Sequence, residues 1–246
     1  MQFKDHFTKQ AESYAKFRPD YPDGLFKYLS EISPSNELAW DCATGNGQAA
    51  NGLAKYFIKV IASDASEKQI MNAIKNEKIE YKIFPAEKSG IASSTVDLVT
   101  VAQALHWFNF EKFYEEVRRV LKKNGIIAAW MYNIVEVSPE IDSIIKKFDS
   151  EILKDYWPPE RQLFYDEYKT IPFPFDRIEA PEFKMSAYWS IEHLLGFLST
   201  WSAVQKFKDE EGSDPLNLIE EDLRKAWGNE KFRNAFWALV INIGRV

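Results

Sequence analysis

The sequence predicts a doubly wound α/β fold, a mostly parallel sheet with helices on both faces. Three observations predict it. Leu38-Ala39-Trp40-Asp41-Cys42-Ala43-Thr44-Gly45-Asn46-Gly47-Gln48-Ala49-Ala50 is an apolar run ending in Asp, then a small-residue turn, then the start of an amphipathic pattern. Val60-Ile61-Ala62-Ser63-Asp64 reads as a second buried strand that also ends in an acid. Beyond it, strand-like runs alternate with helical stretches as far as residue 132, the order that gives parallel strands joined by right-handed crossovers.

Residues 3–31 read as helical, with Phe3, Phe7, Ala11, Tyr14 and Ala15 on one face. Arg18-Pro19-Asp20-Tyr21-Pro22 breaks that helix, and Leu25, Phe26 and Leu29 begin another. After strand one, Gly45 and Gly47 allow unusual dihedrals and a close ligand approach. The following helix aims its free N–H groups over the loop, and its buried face is Ala49, Leu53, Ala54 and Phe57. Ser66 with Gln69 is a capping-box pattern, opening a helix expected to bury Ile70, Ala73 and Ile74. Strand three covers residues 79–84 and ends at Pro85-Ala86-Glu87. Residues 86–95 leave room for one or two helical turns or none. Strand four, residues 96–102, is apolar enough to be covered on both faces. It runs into Gln103-Ala104-Leu105-His106-Trp107-Phe108-Asn109. Phe110, Phe113, Tyr114, Val117, Val120 and Leu121 stripe the next helix. Lys123-Asn124-Gly125 stops it, and residues 126–132 form strand five.

From Asn133 the rhythm changes. Ser138-Pro139 opens a helix striped by Ile141, Ile144, Ile145, Phe148 and Ile152 and ended by Trp157-Pro158-Pro159. Tyr165 and Tyr168 fall on a second helix, closed by Ile171-Pro172-Phe173-Pro174. Residues 133–176 are thus a helical cap inserted between strands five and six. Strand six is expected at residues 183–189, a helix capped by Ser190 follows, Asp214-Pro215 starts another, and residues 236–244 are the last strand. The whole chain reads as a single domain.

With 246 residues, 46% of them hydrophobic, the chain can bury a sizeable core. A net charge of -6 does not indicate a basic nucleic-acid surface. The single cysteine, Cys42, excludes an intrachain disulfide and a Cys-rich zinc site. No stretch has signal-peptide or membrane-spanning character. The expectation is a soluble cytoplasmic protein, a monomer or homodimer, with no nucleic-acid, membrane or metal partner.

Asp41-Cys42-Ala43-Thr44-Gly45-Asn46-Gly47 followed by Asp64 resembles motifs one and two of class I S-adenosylmethionine (SAM)-dependent methyltransferases, with Ala43 where the first glycine of D-x-G-x-G-x-G usually stands. Tyr14-x-x-x-Arg18-Pro19-x-Tyr21-Pro22 and Ala104-Leu105-His106-Trp107-Phe108 are similar to one branch of these enzymes, the trans-aconitate methyltransferases and related small-molecule methyltransferases. The resemblance implies a Rossmann-like, seven-stranded sheet whose last strand is antiparallel beside strand five, and SAM as cofactor. It implies that Ala43, Gly45 and Gly47 carry the methionine end, that Asp41 and the carbonyls near Gln103 receive its ammonium, and that Asp64 takes the ribose hydroxyls. Ala86 and Glu87 then flank the adenine, while Tyr14 and Arg18 belong to an N-terminal lid of residues 1–31.

The acceptor is expected to be a small molecule methylated on a carboxylate or hydroxyl oxygen, with Trp107, Trp130 and Trp157 lining its site. His106 is either a general base for a hydroxyl or part of the pocket wall. A carboxylate acceptor needs no base, and an Arg or Lys to orient it matters more. His6 and His193 read as structural or solvated. Two other functions compete. An NAD-binding oxidoreductase would have its third fingerprint position at Ala50, but no Tyr-x-x-x-Lys pair follows strand four or five. A SAM binder without catalysis would keep the same loop. A base-modifying enzyme is disfavoured, because no Asn/Asp-Pro-Pro-aromatic motif ends strand four.

Overall fold

The computed structural model describes residues 17–246. Tyr14, His6 and the apolar face expected over residues 3–15 lie outside the described residues. Helix α1 (Asp23–Ile32) begins directly after Pro22 and buries Leu25, Phe26 and Leu29. Then come β1 (Leu38–Cys42), α2 (Gln48–Leu53), β2 (Lys59–Asp64), α3 (Glu67–Met71), β3 (Ile79–Ile83), β4 (Val96–Ala102), α4 (Phe110–Val120) and β5 (Leu121–Tyr132). No helix separates β3 from β4. The second half contains α5 (Pro139–Lys147), α6 (Arg161–Tyr165), β6 (Asp176–Ile178), β7 (Lys184–Trp189), α7 (Ile191–Ser199), α8 (Ser202–Glu211), α9 (Glu220–Trp227) and β8 (Arg233–Arg245).

The sheet runs β3-β2-β1-β4-β5-β8-β6. The first five strands are parallel, and β8 is antiparallel to β5. Two details differ from the expected seven strands. The outer edge is β6, three residues long, too short and too exposed to show a pattern in the sequence. The segment expected as strand six, Lys184–Trp189, pairs with Arg233–Ala238, the half of β8 that has already left β5. The sheet therefore has eight strands. Helix α8 was also invisible as a pattern, because its buried residues are only Ala203 and Val204.

Alternation along β5 sorts the core into two layers. Ile127, Ala129 and Met131 face α4 with Trp40, Val99, Val101 and Phe113. Ile126, Ala128 and Trp130 face α1 and α2 with Leu25, Phe26, Leu29 and Leu53. A third cluster joins α5 to α7, α8 and α9 around Trp189, Phe197, Trp201 and Trp237. The helices of residues 133–176 thus share one interior with helices much later in the chain.

Burial corrects two expectations. On α3 the buried residue is Gln69, while Ile74 is exposed, because the helix stops at Met71 and never completes the predicted stripe. Trp130 does not line a ligand site: it is fully buried, with Tyr21 and Phe26 edge-on at 5.5 and 6.4 Å. It points to the α1 face one pleat inside the sheet, whereas Tyr132, two residues on, reaches the sheet's open end. Trp130→Ala is expected to destabilise the protein by about 3–5 kcal/mol, the cost of emptying an aromatic core site, read as a lowered denaturant midpoint with an unchanged slope.

Candidate active site

The turn after β1 is built from left-handed residues. Ala43, Gly45 and Gly47 have φ of 54°, 56° and 85°. Thr44 N–H donates to the Ser63 carbonyl at 2.8 Å and Gly47 N–H to the Thr44 carbonyl at 3.0 Å. A Cβ on Gly47 would lie 2.2 Å from the Tyr81 hydroxyl, so this glycine makes room for β3. A Cβ on Gly45 would meet nothing within 4 Å; that side of the loop is open. Ala43 holds a glycine-favoring conformation with a side chain attached, a strain of about 1–2 kcal/mol.

Asp41 sits beneath this loop. It is completely buried, accepting the Thr44 hydroxyl at 2.5 Å on one oxygen and the Thr100 hydroxyl at 2.8 Å on the other. Burial raises its pKa to about 6 despite those bonds and the nearby Ala50 N–H, and the charge of Asp64 adds to the rise. The expectation that Asp41 itself receives a ligand's ammonium is therefore corrected. The side chain has no exposed surface, and it holds β1, β4 and the loop together.

Four predicted residues lie at one edge of the sheet, where ligands bind in open α/β folds. Asp64 ends β2, accepting Gly45 N–H and Ser66 N–H at 2.9 Å each. These two bonds fix the carboxylate against the loop and the start of α3. Ala86 is buried just after β3, and Glu87 beside it accepts Asn109 N–H at 3.0 Å. Gln103 follows β4 with φ of 58°, its N–H on the Trp130 carbonyl. Its side-chain Nε2 is buried with no hydrogen-bond partner among the described residues.

Gln103 opens onto a cavity of about 110 Å³ beyond the ends of β4 and β5. His106, Trp107, Tyr132, Asn133 and Trp157 wall it, with Arg18 and Arg161 as its charged residues. Arg18 donates to the Tyr132 hydroxyl at 2.7 Å and stacks over Phe197. This places it on the cavity side, while its neighbour Pro19 accepts from Gln48 at the start of α2. Arg161 is caged by Trp157 and Phe164, at 3.9 and 3.8 Å from the ring centroids, and bonds Asp149 at 2.9 Å. Of the three predicted tryptophans, Trp107 and Trp157 are brought together here and Trp130 is not.

The His106 Nδ1 lies 2.6 Å from the hydroxyl of Tyr168, which is buried among apolar groups. Burial, and secondarily the charge of Arg161, lowers the His106 pKa to about 4. Tyr168 is not on a helix as expected. Glu167 and Tyr168 are consecutive left-handed residues, φ 52° and 58°, that turn the chain back under the cavity. Nothing in the sequence marks this turn, since neither residue is Gly or Asn. Arg161 had a readable signal, a lone cation among Trp157, Phe164 and Tyr165.

A parallel sheet with an antiparallel penultimate strand, a glycine loop after β1 and an acid ending β2 define the Rossmann-like methyltransferase fold. The residues fit SAM as well. The open side of Gly45 leaves space beside the backbone, and the Asp64 carboxylate stands at the same rim. Residues 40–129 match the model of a methyltransferase domain. The chain is 38% identical over 229 residues to a Dictyostelium discoideum protein named as a methyltransferase, covering 92% of this chain and 87% of that one. It is 30% identical over 138 residues to a Saccharomyces cerevisiae protein named as a SAM-dependent methyltransferase, 52% of this chain and 47% of that one. A solved structure described as a type II methyltransferase from Anaeromyxobacter dehalogenans superposes with a TM-score of 0.87 at 40% identity, covering 93% of this chain and 98% of that one. The chain belongs to the methyltransferase family and is a SAM-dependent methyltransferase. Among the described residues, no helix is long and apolar enough to cross a membrane.

Ala43→Gly is expected to raise stability by about 0.5–1 kcal/mol, the relieved strain less the added freedom of the unfolded chain; thermal unfolding measures it. The two shifted groups act oppositely with pH. The lowered His106 pKa means the unfolded chain binds its proton first, so stability falls as pH drops from 6.5 towards 4. The raised Asp41 pKa means the folded state binds its proton first, so stability rises as pH drops through 6. Each effect amounts to about 3 kcal/mol at most. Between pH 7 and 4.5, His106→Gln should gain melting temperature relative to wild type and Asp41→Asn should lose it.

Proposed function

We propose that the protein methylates a carboxylate oxygen of a small acidic acceptor held in the cavity between Arg18 and Arg161. The carrying observation is the charge of the lining: among the described residues its charged side chains are two guanidinium groups, one of them, Arg161, backed by the buried Asp149 carboxylate. The orphan Nε2 of Gln103 adds a donor that an anionic acceptor would satisfy, since a buried donor left unpaired costs about 1–3 kcal/mol. The aromatic wall of Trp107 and Trp157 excludes water and fits a flat or branched carbon skeleton. The motif resemblance to trans-aconitate methyltransferases supports the same acceptor class.

SAM supplies a methyl group on a sulfonium, so transfer is a displacement in which the protein mainly holds the reacting atoms in line. In this reading Gly45, Gly47 and the backbone of Ala43 hold the methionine end, with Asp64 on the ribose and Ala86 and Glu87 beside the adenine. Gln103 lies where the cofactor and acceptor sites adjoin, and Arg18 links the two through its neighbouring Pro19. Arg161 orients the acceptor by a charge-assisted fork. A carboxylate is already ionised at neutral pH and needs no base. That matches His106, which at a pKa of about 4 is a poor proton acceptor.

The test is methyl transfer from labelled SAM to a panel of small di- and tricarboxylic and aromatic acids. The expected product is a methyl ester, which mild alkali hydrolyses to methanol. Label that survives alkali, or equal transfer to uncharged alcohols, would refute the carboxylate. Arg161→Lys keeps the charge and loses the fork; KM for the acid should rise about tenfold or more while SAM affinity stays unchanged.

A further inference from the structure

Tyr168 is a buried polar group beside the cavity that the proposed chemistry does not use. Its ring is 1% exposed and sits in the α4-side core. Two left-handed residues in succession place it there, held by Tyr168 N–H on the Leu163 carbonyl at 3.0 Å and Glu167 N–H on the Phe164 carbonyl at 2.9 Å. Among the described residues its hydroxyl has one side-chain partner, His106 Nδ1 at 2.6 Å.

The hydroxyl has one proton to place, and burial pushes its pKa upward, so the proton stays. Buried O–H groups find an acceptor, and here that acceptor is Nδ1. A neutral imidazole has one donor and one acceptor nitrogen. If Nδ1 accepts, Nε2 carries the hydrogen. The opposite tautomer leaves a buried phenolic proton unpaired, which disfavours it by roughly tenfold to a hundredfold.

We infer that Tyr168 is a positioning residue that locks His106 in the Nε2–H tautomer, making this histidine a hydrogen-bond donor to the acceptor and not a base. Nδ1 is turned towards Tyr168, which does not line the cavity, so the opposite ring nitrogen is the one His106 presents to the bound molecule. A neutral Nε2–H beside Arg161 steadies an anionic oxygen and, because that nitrogen carries its hydrogen, offers no lone pair there to compete for the methyl group. The tautomer stands on the hydrogen bond alone; its use in catalysis rests on the carboxylate reading.

Nitrogen-15 NMR of the full chain, labelled in its three histidines, tests it at pH 7. His106 is assigned from the signals lost in His106→Gln. The expected wild-type pattern is a protonated Nε2 and an unprotonated Nδ1. A protonated Nδ1 would overturn the inference, and this readout needs no variant and no substrate. Tyr168→Phe keeps the ring and should release His106 into a mixture of tautomers; an unchanged pattern would remove Tyr168 from the role. The same variant should raise KM for the methylated acid about fivefold or more with SAM affinity intact. A shifted tautomer with unmoved KM would overturn the positioning role. Failure of every acid as a substrate would refute the carboxylate reading and leave the tautomer result standing.

Discussion

The buried carboxylate of Asp41 is the constraint on which the site depends. A charge-bearing group with no solvent contact survives only where hydrogen bonds replace its water. Here they come from two different elements, Thr44 in the loop and Thr100 on β4. The same bonds that keep Asp41 buried therefore set the distance between β1 and β4 and the pitch of the loop. Asp64, one strand over, does the complementary work at the surface. It ties Gly45 and the start of α3 to the end of β2.

The two halves of the molecule use different means. The cofactor half is backbone geometry: positive φ values, strand ends and main-chain N–H groups. The acceptor half is side chains drawn from the turn after β4, the end of β5, α6, α7, the start of α8 and the turn around Arg18. Cations are held there by aromatic faces as much as by carboxylates, as the cage around Arg161 shows. A guanidinium paired with a single buried Asp149 and stacked on rings keeps donors for a further anion.

Most of the parallel half was legible because its signals are local. The unbroken apolar run of β4 and the stripe on α4 each have one reading. Asp41 and Asp64 were legible as strand-ending acids, but not as fully buried and half-buried respectively, since that depends on which strands flank them. Trp130 and Tyr132 share a face by period two, and only the packing of α1 shows which of them is covered. Tyr168 was illegible: two left-handed residues without glycine are a tertiary outcome, imposed by the core that swallows the ring. β6 is too short to carry a period, and α8 too polar to show a stripe.

Strand β8 has a mechanical consequence. Its thirteen residues run unbroken from the ladder with β7 into the ladder with β5, so one stiff rod is riveted to both the helical layer and the central sheet. The two halves cannot swing apart like a clamshell without tearing hydrogen bonds out of a shared beam. The described parts of the cavity wall that no strand splints are the turn around Arg18 and the stretch from Trp157 to Ile171. Selectivity for the incoming molecule is then the property of a cavity whose two supporting layers keep a fixed spacing.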